Sequence, residues 1–425
     1  MKNVFSGILA ALVVAGNVAG ADAASRVAFT EHVIAGKYYY AYGLAVADLD
    51  SDGDLDFTSS DTLGLPGTPE TDPKREGKGN LYWFENDGKG VFSRHFIQKD
   101  ESGYLERHAI GDVNGDGRPD IVMVKNRVGH LIWFENSGQP TDGALWRRHV
   151  ITTDFMRAYD VALNDVDRDG DLDVISTGYR GNVLAWFANP GADKLGGKEW
   201  KKEVIDDQLE EARNMRLGDF NGDGILDPLA TGFMGGVTAW YEQTGNATAP
   251  WKRHVIDQSS PQPAHGMGAD IDGDGDADVV MAVGMRVVEN RANLDAHEVI
   301  WYENTWKGER WTKHLIDKLP FAFEAVAGDL NGDGRLDVVA ISYAKTAAHL
   351  VWYENPGDFK SSWKKHVLKS DWAYGNQVVI ADLNGDGRSD ILAESGSDRR
   401  AVPWSDVRWW ENRIDVVSAP PSRTK

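Results

Sequence analysis

Asp165-Val166-Asp167-Arg168-Asp169-Gly170-Asp171-Leu172-Asp173 is the stretch on which the reading of this 425-residue chain turns. Its pattern, D-x-[DN]-x-D-G-x-x-D, starts seven times, at Asp48, Asp112, Asp165, Asp219, Asp270, Asp329 and Asp382. The starts are 51 to 64 residues apart, a period that signals repeated supersecondary units. Around each loop lie the same four strand-like pieces. In repeat 2 they run from Glu106 to Gly111, from Asp120 to Val124, from His130 to Phe134 and from Trp146 to Ile151. All are short, rich in β-branched and aromatic residues, and bounded by Gly, Asn and Asp. Four strands in each of seven units predict an all-β chain folded as a seven-bladed β-propeller. The last repeat stops at Trp409-Trp410-Glu411-Asn412 without a fourth strand, and Phe29 to Ile34 matches the missing piece. The N-terminal segment is therefore expected to complete the last blade and remove its open edge.

Composition narrows the setting. The 45 Lys+Arg against 66 Asp+Glu leave a formal charge of −21, which argues against nucleic acid or an anionic membrane surface as partner. There is no cysteine, so disulfides, thiolate metal sites and a cysteine nucleophile are excluded. Lys2, the small apolar run Phe5 to Val18 and Ala21-Asp22-Ala23 read as an export signal over residues 1–23. Export to the periplasm or outside the cell is expected, without membrane insertion. Residues 24–415 form the propeller and 416–425 a disordered tail.

The acidic loops carry metal-binding chemistry. Carboxylates at positions one, three and five converge, glycine at six permits the sharp turn, and aspartate at nine closes an oxygen shell suited to calcium. The ligand sets are Asp48, Asp50, Asp52 and Asp56; Asp112, Asn114, Asp116 and Asp120; Asp165, Asp167, Asp169 and Asp173; Asp219, Asn221, Asp223 and Asp227. Asp270, Asp272, Asp274 and Asp278, then Asp329, Asn331, Asp333 and Asp337, then Asp382, Asn384, Asp386 and Asp390 complete them. They hold 24 carboxylates, and one calcium ion per loop would bring −21 to −7. An EF-hand needs glutamate at position twelve and flanking helices, and neither is present. Calcium on every unit is structural, since identical sites do not build one active site.

These loops resemble the FG-GAP or VCBS repeats of integrin α-subunits and many secreted bacterial proteins, over residues 29–412. The W-[FY]-E-N and H-[VL]-I segments also resemble the propeller portion of aldos-2-ulose dehydratases, a sugar-eliminating family. Some fungal lectins share the seven-bladed plan.

The repeat is its own control: what recurs serves the blade, and what does not recur is a candidate for function. Trp83, Trp133, Trp186, Trp240, Trp301, Trp352 and Trp409 recur, as do His32, His95, His149, His254, His314 and His366. The position five residues before each loop does not: it reads Gly43, Arg107, Asp160, Asn214, His265, Glu324 and Gln377. The strand before the loop is expected to line the channel, which sets these residues in a ring at one mouth, with Arg216 two positions further in. His108 lies in the apolar register and reads as a satisfied core histidine. Tyr38, Tyr39, Tyr40, Tyr42, Tyr159, Trp372, Tyr374 and Trp404 lie off the repeat schedule, and Tyr42, Trp372 and Trp404 are expected to wall a sugar site. The insertion between Asp61 and Gly79 is expected to cover that side.

Two classes of function follow. An enzyme would use His265 as base, Arg107 or Arg216 to neutralise an oxyanion, and Tyr42 or Glu324 as acid, in a β-elimination. His265, Glu324 and Asp160 would alternatively hold a second divalent metal, zinc or manganese. A non-catalytic module would bind a glycan, or a protein partner, at the same mouth through Asn214, Gln377, Tyr159 and the aromatic wall.

Overall fold

The computed structural model describes residues 26–62, 78–195, 199–244, 250–285, 297–359, 361–396 and 404–415. The export signal, most of the insertion between Asp61 and Gly79, and the tail lie outside the described residues. So do Arg286, Arg291, Arg399 and Arg400.

Among the described residues there are twenty-eight strands, grouped in five four-stranded sheets and one of eight strands. Each repeat folds as an antiparallel meander in chain order. Repeat 2 runs Leu105–Gly111, Asp120–Lys125, His130–Glu135 and Arg147–Thr152, within a residue or so of the ranges read from sequence. The eight-stranded sheet is two such meanders, repeats 5 and 6, whose first strands touch through one parallel bridge between His265 and Glu324. The sheet of repeat 7 takes its fourth strand from Arg26–Tyr38, antiparallel to Ser405–Asp415 with His32 opposite Trp409. The chain is an all-β propeller of antiparallel four-stranded blades. No helix among the described residues is long and apolar enough to cross a membrane.

Burial explains the strand sequences. Second strands such as Asp173–Gly178 are buried at every position, because neighbouring sheets cover both faces. Fourth strands such as Lys201–Asp206 are the outer edges and expose charge. The core lies between repeats: Val122, Trp133 and Ile151 of repeat 2 pack with Val174, Phe187 and Trp200 of repeat 3. Repeats 7 and 1 share a core in the same way, through Leu392 and Trp409 against Phe57 and Phe84. First strands of successive repeats lie against one another, and that of repeat 7 lies against that of repeat 1.

The recurring tryptophans and histidines are blade packing. Each of the seven tryptophans is buried, and His149, for example, stacks on Trp133 at 4.2 Å while its Nε2 bonds Glu135 at 2.9 Å. His108 is a core histidine, its Nε2 2.5 Å from Thr58 Oγ1, and burial lowers it to about 4. The asparagine of W-[FY]-E-N has a further task. Asn136 Nδ2 donates to Leu49 O of the previous repeat at 2.9 Å, and Asn189 to Val113 O at 2.8 Å. Asn86 of repeat 1 reaches Leu383 O of repeat 7 at 2.7 Å, so the latch also joins the two ends of the series.

Candidate functional site

At one end of the first strands are the acidic loops. In each, the first aspartate accepts the N–H of the glycine at position six, as Asp165 Oδ2 does from Gly170 at 3.2 Å. The ninth position anchors the loop from below: Asp173 accepts Val166 N–H at 2.9 Å and Asn189 N–H at 2.7 Å. Burial raises the ninth carboxyl, to about 7 in Asp56, Asp120, Asp173, Asp278, Asp337 and Asp390, and to about 8 in Asp227. A cation beside such a group would favour its ionised form. Asp165 Oδ1 and Asp227 Oδ2 are buried oxygens with no hydrogen-bond partner, which fits a ligand-accepting shell.

The loops are of two kinds. In repeats 1, 3 and 5, oxygens of positions one, three and nine lie within 4.8 Å of one another: Asp48, Asp50 and Asp56; Asp165, Asp167 and Asp173; Asp270, Asp272 and Asp278. Position seven there is a fifth aspartate, Asp54, Asp171 or Asp276. In repeats 2, 6 and 7 position three is asparagine and position seven arginine. Arg118, Arg335 and Arg388 each bond the aspartate at position five, namely Asp116, Asp333 and Asp386. Repeat 4 has Asn221 and Ile225 at these positions.

At the other end of the first strands the unrepeated residues come together. Arg107 Nη1 lies 3.1 Å from Glu324 Oε1 and 3.7 Å from Asp160 Oδ2. Arg216 bridges the same two carboxylates, 2.9 Å from each. His265 Nδ1 is 3.9 Å from Asp160 Oδ2, and its Nε2 is 3.3 Å from Tyr159 Oη, which lies 2.5 Å from Tyr42 Oη. Burial and three nearby arginines hold His265 well below the usual histidine range, so it is neutral. This ion cluster joins repeats 2, 3, 4 and 6 across the channel.

A β-bulge places it. In all seven repeats the pairing of first and second strands slips at this point, between Ala158 and Asp160 or between Ala212 and Met215, for example. A bulge lets two successive side chains face the same way. The residue before the ring position therefore joins the cluster in five repeats: Tyr42, Glu106, Tyr159, Arg213 and Phe323. Tyr42, Tyr159, Phe233 and Phe323 form an apolar layer with Tyr40, Tyr179, Met285 and Tyr343 at its partly exposed rim. Glu106 sits among Arg107, Arg157 and Arg213, yet burial raises it to about 8. Glu394, which accepts Gly43 N–H at 2.5 Å, is likewise raised to about 8. Glu106, Arg213 and Phe323 escaped the sequence reading because strict alternation turns them away from the channel, and Glu394 because it lies on a second strand, opposite Gln377.

Several expected roles are different in the structure. Arg107 and Arg216 stand between Asp160 and Glu324, so the cation beside these carboxylates is guanidinium rather than the expected second divalent metal. Asn214 spends its amide on Gly266 N–H and Leu229 O, and Gln377 grips both backbone groups of Leu44. Trp372 is core: its Nε1 donates to Asp406 at 2.8 Å and its ring meets Trp410 edge-on at 5.4 Å. Trp404 is 45% exposed against Tyr39, and Tyr374 meets Tyr343 edge-on at 5.2 Å. The wall of Tyr42, Trp372 and Trp404 is thus not formed, since Trp372 is needed between the sheets. The aromatic surface comes instead from repeats 1, 3, 4 and 6.

Blades of this kind, each with an acidic loop between its first two strands, define a class of β-propeller. The FG-GAP-like repeat model matches over residues 73–123, 112–176, 165–230, 219–281, 270–340 and 329–393, and the chain belongs to that family. No curated protein matches it. Among solved structures the chain is similar to a lectin of Agrocybe aegerita, described for specific recognition of non-reducing terminal N-acetylglucosamine. Identity is 20%, the match covers 87% of this chain and 93% of that one, and the TM-score is 0.51, a likeness of fold.

Proposed function

We propose that this protein is an exported, calcium-stabilised, seven-bladed propeller that binds carbohydrate at the mouth opposite its acidic loops. The blade count takes the eight-stranded sheet as two blades, and the N-terminal strand as closing the ring. Calcium is the natural occupant of loops whose donors are carboxylate, amide and carbonyl oxygens.

One observation carries the carbohydrate reading. The bulges of repeats 1, 3, 4 and 6 gather Tyr42, Tyr159, Arg213 and Phe323 over one ion cluster, at one place per molecule, beneath the partly exposed Tyr40, Tyr179 and Tyr343. Tyrosine faces stack on sugar rings while phenolic and guanidinium groups bond the hydroxyls. The recognition of terminal N-acetylglucosamine by the similar lectin supports the same class of ligand. A glycan-binding screen over neutral, N-acetylglucosamine-terminated and acidic sugars should return ligands with one site per chain. Tyr343→Ala should weaken them about tenfold, the loss of one stacking face. No binding across the screen, or several equal sites per chain, rejects the reading.

A catalytic version is favoured by the hydrogen-bonded file from Tyr42 through Tyr159 to His265, which ends beside Arg107 and Arg216. In it His265 takes the proton, the arginines hold the oxyanion and Tyr42 serves the leaving group, Glu324 being taken up by Arg107 and Arg216. His265→Ala would then abolish turnover of a bound glycan with calcium content unchanged. A bound glycan that is never cleaved leaves the binding module.

A further inference from the structure

The mouth has a charge the sequence total conceals. Three successive repeats each lay a guanidinium over an aromatic ring: Arg127 over Tyr104 at 5.3 Å, Arg157 over Tyr179 at 5.9 Å, and Arg213 over Phe233 at 3.8 Å. Beneath them are Arg107 and Arg216. The carboxylates bonded to these five arginines are Asp160, Glu211 and Glu324. Glu101 is taken by Lys125 and Arg148. Glu106 and Glu394, each raised to about 8 by burial, are largely protonated at neutral pH and add little negative charge. Among the described residues, five guanidiniums are therefore met by three bonded carboxylates, in a chain whose total is −21. Two of their donors are unmet: the Nε groups of Arg107 and Arg213 are buried without an acceptor, in side chains 2% and 9% exposed. Buried cations and orphaned donors of this kind are stable only when something pairs with them.

We infer that the ligand of this mouth is an acidic glycan, a uronate whose carboxylate is taken by the arginines of repeats 2 to 4 while its ring lies on the adjoining tyrosines. This rests on the carbohydrate reading and narrows it. The planar guanidinium fork matches a carboxylate in two-point contact, and an arginine already stacked on a ring loses little freedom on binding. The partly exposed Arg157, whose Nη1 is held by Asn126 Oδ1 at 3.0 Å, meets the incoming chain, and Arg213 lies deeper.

The test is calorimetric titration of the full chain, in calcium, with oligomers of galacturonate, glucuronate and mannuronate and with the carboxyl-reduced, neutral form of each. A sulfated neutral galactan oligomer is the third arm. At least one uronate should bind about tenfold more tightly than its reduced form, with affinity falling as salt rises. Arg157→Gln should remove most of that preference with an unchanged melting curve, and Arg213→Lys should do so where it folds. Equal binding of uronate and reduced oligomer, or an Arg157→Gln protein that keeps the preference, overturns the inference and leaves the carbohydrate reading standing. Binding of the sulfated galactan without binding of any uronate also overturns it. No binding of any of these oligomers overturns the inference, and the carbohydrate reading falls with it only if the N-acetylglucosamine-terminated and other neutral glycans of the wider screen also fail to bind.

Discussion

Glu394 shows how a single carboxyl sets a pH limit on this protein. Burial raises it to about 8 from an ordinary value of 4.5. The unfolded chain releases this proton near 4.5 and the folded chain keeps it until about 8, so folding takes up a proton in that window. Stability from this group therefore falls as pH rises through the window and levels off above it. Glu394→Gln should be more stable than the parent at pH 9, by about a few kcal/mol at most, with a smaller advantage at pH 5. Urea denaturation at both values measures it, and an advantage independent of pH refutes the assignment. The loops offer a second comparison. An arginine at position seven bonds the carboxylate at position five in repeats 2, 6 and 7, whereas repeats 1, 3 and 5 carry five aspartates. Native mass spectrometry under calcium titration should fill three sites before the rest. Rewriting repeat 3 as repeat 2, by Asp167→Asn with Asp171→Arg, should reduce the early-filling sites by one. Seven sites filling together would show that the two loop kinds do not differ.

Strand identity was legible because each repeat states it again: the ranges of repeat 2 came from alternation and turn residues alone, within a residue or so. The ring position was legible for the same reason, since Arg107, Asp160, His265 and Glu324 stand where six other repeats differ. Orientation was not. A bulge breaks the two-residue period without leaving a mark in the sequence, so Glu106, Arg213 and Phe323 were missed. Trp372 misled in the opposite sense, because a residue off the repeat schedule can still be core when it bonds Asp406 and meets Trp410. Nor could the sequence show that Arg107 and Arg216 reach across the channel to Glu324, since that depends on how far the ring closes. The strand Arg26–Tyr38 is the element most exposed to test. Its removal would bare the edge of Ser405–Asp415, whose Trp409 and Trp410 are buried. A chain starting at residue 39 should lose soluble yield and aggregate, measured by size-exclusion chromatography. A monodisperse, native-like product would show that the strand is dispensable.

For the molecule as a whole, stability is distributed between seven shared cores and seven loops. With no cysteine available, the calcium ions proposed for the loops would take the part of cross-links, since they would bind only the folded chain. Excess chelator should lower the melting temperature by about ten degrees or more, and added calcium should restore it. A melting curve indifferent to chelator would mean that the aspartates act through their backbone hydrogen bonds alone. Arg408 bonds Glu31, a partner 377 residues away in the chain. A ribosome working from the N-terminus makes Arg26–Tyr38 first among the described strands and its partner last. For nearly all of synthesis that strand has nowhere to go, and the repeats already made present an unfinished arc. Folding is therefore tied to completion of the chain, and a stalled or truncated product is left with a free edge. For the exported protein proposed above, this would be an advantage in timing. A chain that cannot finish folding before its last residues exist remains threadable through a translocation pore until then.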